Sequence, residues 1–179
     1  LSTEEKLQKK ISEFAVKNSK GIFIAIIALI AAVFAIVIVT TSVSNSREKN
    51  LVKVEELADD YASLDKESET FASDVETFIA NCTELVKGKR YPSVKAQYLI
   101  GLAYYDSEDF AKAYDAFMSC YNLNEKIYLA ELALVNAAAS AESDGDVDKA
   151  LELYEKISID YADSESAVVP KALFNAGRI

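Results

Sequence analysis

A chain of 179 residues has room for one medium domain, or for a smaller domain with an attachment segment. It carries 29 acidic against 19 basic side chains, a net charge of −10, with two cysteines and no histidine. Without imidazole, histidine acid/base chemistry, Ser-His and Cys-His nucleophile pairs and His-ligated zinc are excluded over these residues; the acidic balance disfavours nucleic acid, whose phosphates need a basic footprint.

The tail, residues 1–20, opens with Ser2 and Glu5 at capping-box spacing, and Leu7, Ile11 and Phe14 recur at helical intervals. A short amphipathic helix is expected. Its lysines would snorkel toward anionic headgroups while the stripe touches lipid or another membrane subunit, or else the tail is solvated and only sets topology. Leu1 is not an initiator methionine, which leaves room for residues upstream.

Ile22 to Val39 is an unbroken run of eighteen apolar residues. With Gly21, Thr40 and Thr41 it forms a span over 21–41, because a helix rising about 1.5 Å per residue then matches a hydrocarbon layer of roughly 30 Å. Ile22, Phe23, Leu29, Phe34 and Val39 would meet lipid. A cleaved signal sequence is the weaker alternative: its apolar region would be shorter, and Ser42 to Ser44 is a poor cleavage site. A buried soluble helix is rejected, since the polar remainder cannot cover such a run on every side. Lys6, Lys9, Lys10, Lys17 and Lys20 precede the span while Arg47, Lys49 and Lys53 follow it, so the positive-inside bias puts the N-terminus in the cytoplasm.

Residues 42–90 read as a helical hairpin or a divergent first repeat. Leu51, Val54, Ala58 and Tyr61 line one face, and Phe71, Val75, Phe78, Cys82 and Leu85 line another. Asp65 to Glu69 falls between them out of phase, which argues against one continuous coiled coil.

Residues 91–179 hold an internal repeat. Phe110, Ala113 and Phe117 match Val147, Ala150 and Tyr154, each 37 residues on. Small Gly101 and Ala113 let two helices approach closely while Tyr104, Phe110 and Phe117 fill the space between them. The second unit departs from this with Ala138 and Ala141. A third begins at "ALFNAG", Ala172 to Gly177, which repeats "AQYLIG", Ala96 to Gly101. The chain stops at Ile179, so either C-terminal truncation or a terminal cap is expected; the face left uncovered favours truncation.

These spacings resemble the tetratricopeptide repeat, and the expected fold class is all-α: one transmembrane helix, the hairpin, then a tetratricopeptide-like α-solenoid. The resemblance places Lys95, Tyr98, Leu102, Tyr105, Leu132, Val135, Asn136, Ala139 and Glu142 along a partner-binding groove. Tyr98 and Leu102 stand where some relatives clamp a terminal carboxylate, so binding of that kind is disfavoured. Extended polypeptide suits the tyrosines; ordinary packing between repeats is the plainer reading of them.

Asp144, Asp146 and Asp148 read as turn and cap residues, because Ala150 and Tyr154 sit where a calcium loop needs later ligands. Cys82 and Cys120 would form a disulfide if the domain is extracytoplasmic, or remain two buried thiols, the simpler reading. Asn81 to Thr83 has the form of a glycosylation acceptor, a weak pattern with Cys82 inside it. No catalytic residue, cofactor or metal site is expected.

In layout the chain resembles the YfgM-type ancillary subunits of the SecYEG translocon. That resemblance implies a single-pass bacterial inner-membrane protein with its repeats in the periplasm, acting as an adaptor toward translocon subunits, chaperones or secreted client polypeptides. Two other readings stay open: a structural scaffold in an envelope assembly such as a flagellar collar, and a cytosol-facing organellar receptor.

Overall fold

The structure is a computed structural model that describes residues 2–162 and 166–179. Among them are eight helices and no strand: α1 (Thr3–Lys17), α2 (Ser19–Ala62), α3 (Phe71–Thr83), α4 (Tyr91–Asp106), α5 (Phe110–Leu123), α6 (Tyr128–Ser143), α7 (Val147–Asp160) and α8 (Val168–Arg178). The chain divides into two compact units, Leu1–Glu48 and Lys49–Ile179.

In the first unit α1 starts on the expected capping box. Glu5 N donates to Ser2 Oγ at 3.2 Å, and Ser2 N donates to Glu5 Oε2 at 2.7 Å. Asn18 ends the helix: its backbone N–H and its side-chain amide both donate to Phe14 O at 2.9 Å. α2 begins at the next residue. It contains the one helix segment, among the described residues, long and apolar enough to cross a membrane, and none of that segment is buried within the protein.

The helix does not stop at Thr41. Ser19–Ala62 is one element, so the span and the first helix of the expected hairpin are continuous. The physical reason lies in residues 42–50, "SVSNSREKN", which hold neither glycine nor proline and so nothing that ends a helix. The expected break arrives later: Asp65 Oδ1 accepts from Glu67 N at 3.0 Å in an Asx-type turn between α2 and α3.

The second unit has two neighbouring apolar clusters. One joins Val54 and Leu57 of α2 to Val75, Phe78 and Cys82 of α3 and to Ala96, Leu99, Ile100 and Ala103 of α4. The other gathers Phe117 and Cys120 of α5, the alanine-rich face of α6, Leu153, Tyr154 and Ile157 of α7, and Ala172 of α8. From α3 onward each helix packs on its successor as far as α8, and α4 also touches α6 as α6 touches α8.

The sequence repeat is carried by matching local geometry. A side chain on Gly101 would stand 2.5 Å from the Phe117 ring, so α4 and α5 meet at a distance that only glycine allows. Ala96, Ala133 and Ala172, the corresponding residues of α4, α6 and α8, are all fully buried. Both inter-helix turns close alike: Asp109 N donates to Tyr104 O, and 37 residues on Asp146 N donates to Ala141 O, the six-to-one bond of a Schellman ending. Asp109 and Asp146 then cap α5 and α7 by accepting from Lys112 N and Lys149 N. The left-handed residue between them is Gly145 in the second turn, φ 88°, but Glu108 in the first, φ 59°.

Two stability changes follow. Gly101→Ala is expected to cost about 1–3 kcal/mol, since the Phe117 ring is fully buried and has no room to retreat; in a Phe117→Leu background the cost should shrink, as measured by denaturant unfolding of the full chain in detergent. Glu108→Gly should instead stabilise by about 0.5–1 kcal/mol, because relief of the left-handed strain exceeds the added backbone entropy, while Gly145→Ala should lose roughly 1 kcal/mol in the same assay.

Candidate functional site

The nine residues of the expected groove lie on α4 and α6. At four points the structure ties them, or their immediate neighbours, to other parts of the chain.

Lys95 Nζ pairs with Glu55 Oε2 at 2.5 Å and lies 5.9 Å above the Tyr91 ring. Burial alone would lower the Lys95 pKa, but the hydrogen bond to Glu55 and the neighbouring Tyr91 and Glu55 charges hold it above the usual lysine value. Tyr98 packs its ring 5.6 Å from Phe117, and Asn136 Nδ2 donates to its hydroxyl at 2.8 Å. Burial pushes the Tyr98 pKa up, with the Asn136 donor opposing it. Tyr105 and Ser143 share a hydrogen bond of 3.1 Å between their hydroxyls, and the Tyr105 ring meets Phe110 edge-on at 5.2 Å. Glu142 receives Arg178 on both carboxylate oxygens, at 2.7 and 2.8 Å. That guanidinium holds the Glu142 carboxyl below its ordinary range, and Tyr154 donates to it as well, at 3.4 Å.

These contacts link α2 to α4, α4 to α6 and α6 to α8. The polar members of the expected groove, Lys95, Tyr98, Tyr105, Asn136 and Glu142, thus form a seam between helices. Leu102 and Ala139 are half-buried beside it, Val135 is buried and Leu132 remains exposed. Tyr61 extends the seam by donating to Asp106 Oδ2 at 2.5 Å, while Lys66 holds the other Asp106 oxygen at 2.7 Å.

Apolar side chains are exposed on α6 and α8, as they also are on α2 and α7. Tyr128 and Leu132 lie one turn apart on α6, both exposed. On α8 the exposures differ from those of the matching α6 residues: Leu134 and Val135 are 0% and 2% exposed, whereas their counterparts Leu173 and Phe174 are 56% and 72% exposed. Gly177, the counterpart of Gly101, has nothing within 4 Å of where its Cβ would be. Arg178, Ser143, Tyr128, Leu173 and Phe174 are not among the groove residues expected from the sequence. The "ALVNAA" and "ALFNAG" pair carries the available signal, since it aligns buried Val135 with Phe174.

The other sites considered in the sequence resolve simply. Cys82 and Cys120 are free thiols in different apolar clusters, so the bridge considered above is not formed. Cys120 Sγ donates to Val94 O at 3.3 Å. Burial pushes both thiols up to about 12, the nearby Asp60 charge adding to the effect at Cys82. Asp146 of the acidic turn caps α7, and among the described residues no cluster of three acidic or cysteine ligands is placed to hold a metal. A shallow depression between α4 and α5 is bordered by Tyr104, Lys112 and Asp115; Lys112 is already paired with Asp109 at its rim.

No protein-family model, curated protein or solved structure matches the chain.

The thiol environments set one expectation. Neither Cys82 nor Cys120 should react with a maleimide at neutral pH in the folded chain, because a thiol with its pKa raised to about 12 presents almost no thiolate. Both should label fully in denaturant without reductant; a requirement for reductant would show a bridge instead.

Proposed function

We propose that this chain is a single-pass membrane protein whose second unit is a tetratricopeptide-like interaction module, held at the bilayer as an adaptor for other polypeptides. The observation that carries the anchoring is α2: every large side chain from Ile22 to Val39 is exposed, and no charge interrupts the run. Surface of that kind is unfavourable in water by about 25 cal/mol per Å², and lipid removes the cost. The small-on-aromatic contact of Gly101 with Phe117, the shared Schellman turns and the 37-residue period support the repeat reading.

The adaptor role rests on what the module offers. Its seam residues are engaged with one another, it has no histidine, and its exposed apolar side chains include Tyr128, Leu132, Leu173 and Phe174. Aromatic and aliphatic contacts of this type suit a polypeptide partner. A membrane tether raises the effective concentration of such a module beside its partner, so modest intrinsic affinity suffices. With the N-terminus in the cytoplasm, the module would face the periplasm of a bacterial inner membrane, the arrangement that the resemblance to YfgM-type translocon subunits implies.

The test is extraction followed by cross-linking in the native membrane. The chain should resist alkaline carbonate, and its second unit should be digested in spheroplasts but shielded in inverted vesicles. Photocross-linkers at Tyr128 and Phe174 should trap translocon subunits or varied secreted chains. A single stoichiometric envelope protein would support the scaffold instead, and release by carbonate would defeat the anchoring itself.

A further inference from the structure

We propose that α1 is an interfacial helix that lies on the anionic lipid surface on the N-terminal side of the span. The inference rests on the anchoring reading above, and it assigns the tail a ligand class of its own.

Three observations carry it. First, α1 has no buried residue, and Leu7, Ile11 and Phe14 form one exposed stripe along it. At about 100° per residue these three fall within roughly 60° of one another. An unpartnered apolar stripe on a regular, capped helix is the geometry of a helix lying in the headgroup plane. Second, the charge is arranged for that plane. Lys6, Lys10 and Lys17 follow a single flank of the stripe, so their stems extend along the apolar face while the ammonium groups reach phosphate. Residues 1–20 hold five lysines against three glutamates, whereas 42–179 hold 14 basic against 26 acidic residues. The tail is thus the basic end of an acidic protein, which favours anionic over zwitterionic lipid.

Third, the stripe is continuous with the span. Asn18 ends α1 by capping Phe14 O, α2 starts at Ser19, and the uncharged run starts at Gly21. Four residues reach at most about 14 Å, so a span beginning at Gly21 leaves the end of α1 at headgroup depth. A solvated tail would have to turn Leu7, Ile11 and Phe14 away from the nearest apolar medium.

The chain contains no tryptophan, so single substitutions give clean fluorescent reporters. The full chain is reconstituted in phosphatidylcholine vesicles with or without phosphatidylglycerol, carrying Phe14→Trp on the stripe, Ser12→Trp on the opposite side of α1, or Phe34→Trp in the span. Brominated acyl chains report depth. Phe14→Trp is expected to shift to the blue and to be quenched, more strongly with phosphatidylglycerol and less so at high salt, while Ser12→Trp stays aqueous. Phe34→Trp should be quenched in every vesicle. If Phe34→Trp is quenched but Phe14→Trp is not, the interfacial helix is wrong while the anchor stands; a tail that contacts another membrane protein gives that same result in lipid alone. If both α1 reporters are quenched alike, or Phe14→Trp ignores lipid charge, the oriented anionic contact is wrong. If Phe34→Trp is unquenched, the anchoring reading itself has failed.

Discussion

The ring of Phe117 occupies the space that any side chain on Gly101 would need, and the packing of the second unit grows out of that contact. Because α4 carries no Cβ there, α5 comes close enough for Ala113 and Cys120 to be buried with Phe117. The same logic repeats in a looser form 37 residues later, where Ala138 replaces glycine and Tyr154 replaces phenylalanine, both fully buried. Where helices approach over small residues, side chains from the next helix close the remaining gaps at crystal-like density. Each pair is incomplete alone, and the next helix in the chain supplies the missing cover.

That scheme also explains why the polar row is not free. Once α4, α6 and α8 are brought side by side by their buried alanines, the hydroxyls and carboxylates along them are drawn partly out of water and need partners. Tyr98 finds Asn136, Tyr105 finds Ser143 and Glu142 finds Arg178. Among the described residues no buried side-chain polar atom is left without a partner. Specificity toward a partner protein is then assigned, in the proposed adaptor, to the apolar residues that the scheme leaves over on α6 and α8.

The first unit follows different physics. Its helices bury nothing within the unit, since Ile22 to Val39 and the α1 stripe are exposed on all described sides. Hydrogen bonding is satisfied internally along each helix, which is the condition for a polypeptide to exist in hydrocarbon. In the proposed anchor the first unit would answer to lipid and the second to water, and the charge asymmetry between the tail and residues 42–179 fits that division.

The sequence by itself determined what shows as a pattern of residue types along the chain. The capping box at Ser2, the uncharged run, the Asp146 cap and the 37-residue period were legible, because each shows directly as a pattern of residue types along the chain. The small residues Gly101 and Ala113 were legible through the repeat, although the Phe117 ring that meets Gly101 lies on the next helix. Outside the repeat, tertiary structure alone decided which residues of different helices meet. Lys95 pairs with Glu55 across 40 residues and Glu142 with Arg178 across 36, and no periodic pattern names either partner. Nor did it reveal that Cys82 and Cys120 sit in separate clusters, since apolar faces look alike until packing assigns each to a neighbour. The continuation of the helix past Thr41 was not legible for the opposite reason: loss of hydrophobicity there marks a change of surroundings, while a helix ends only where backbone chemistry ends it, and nothing does so before Ala62.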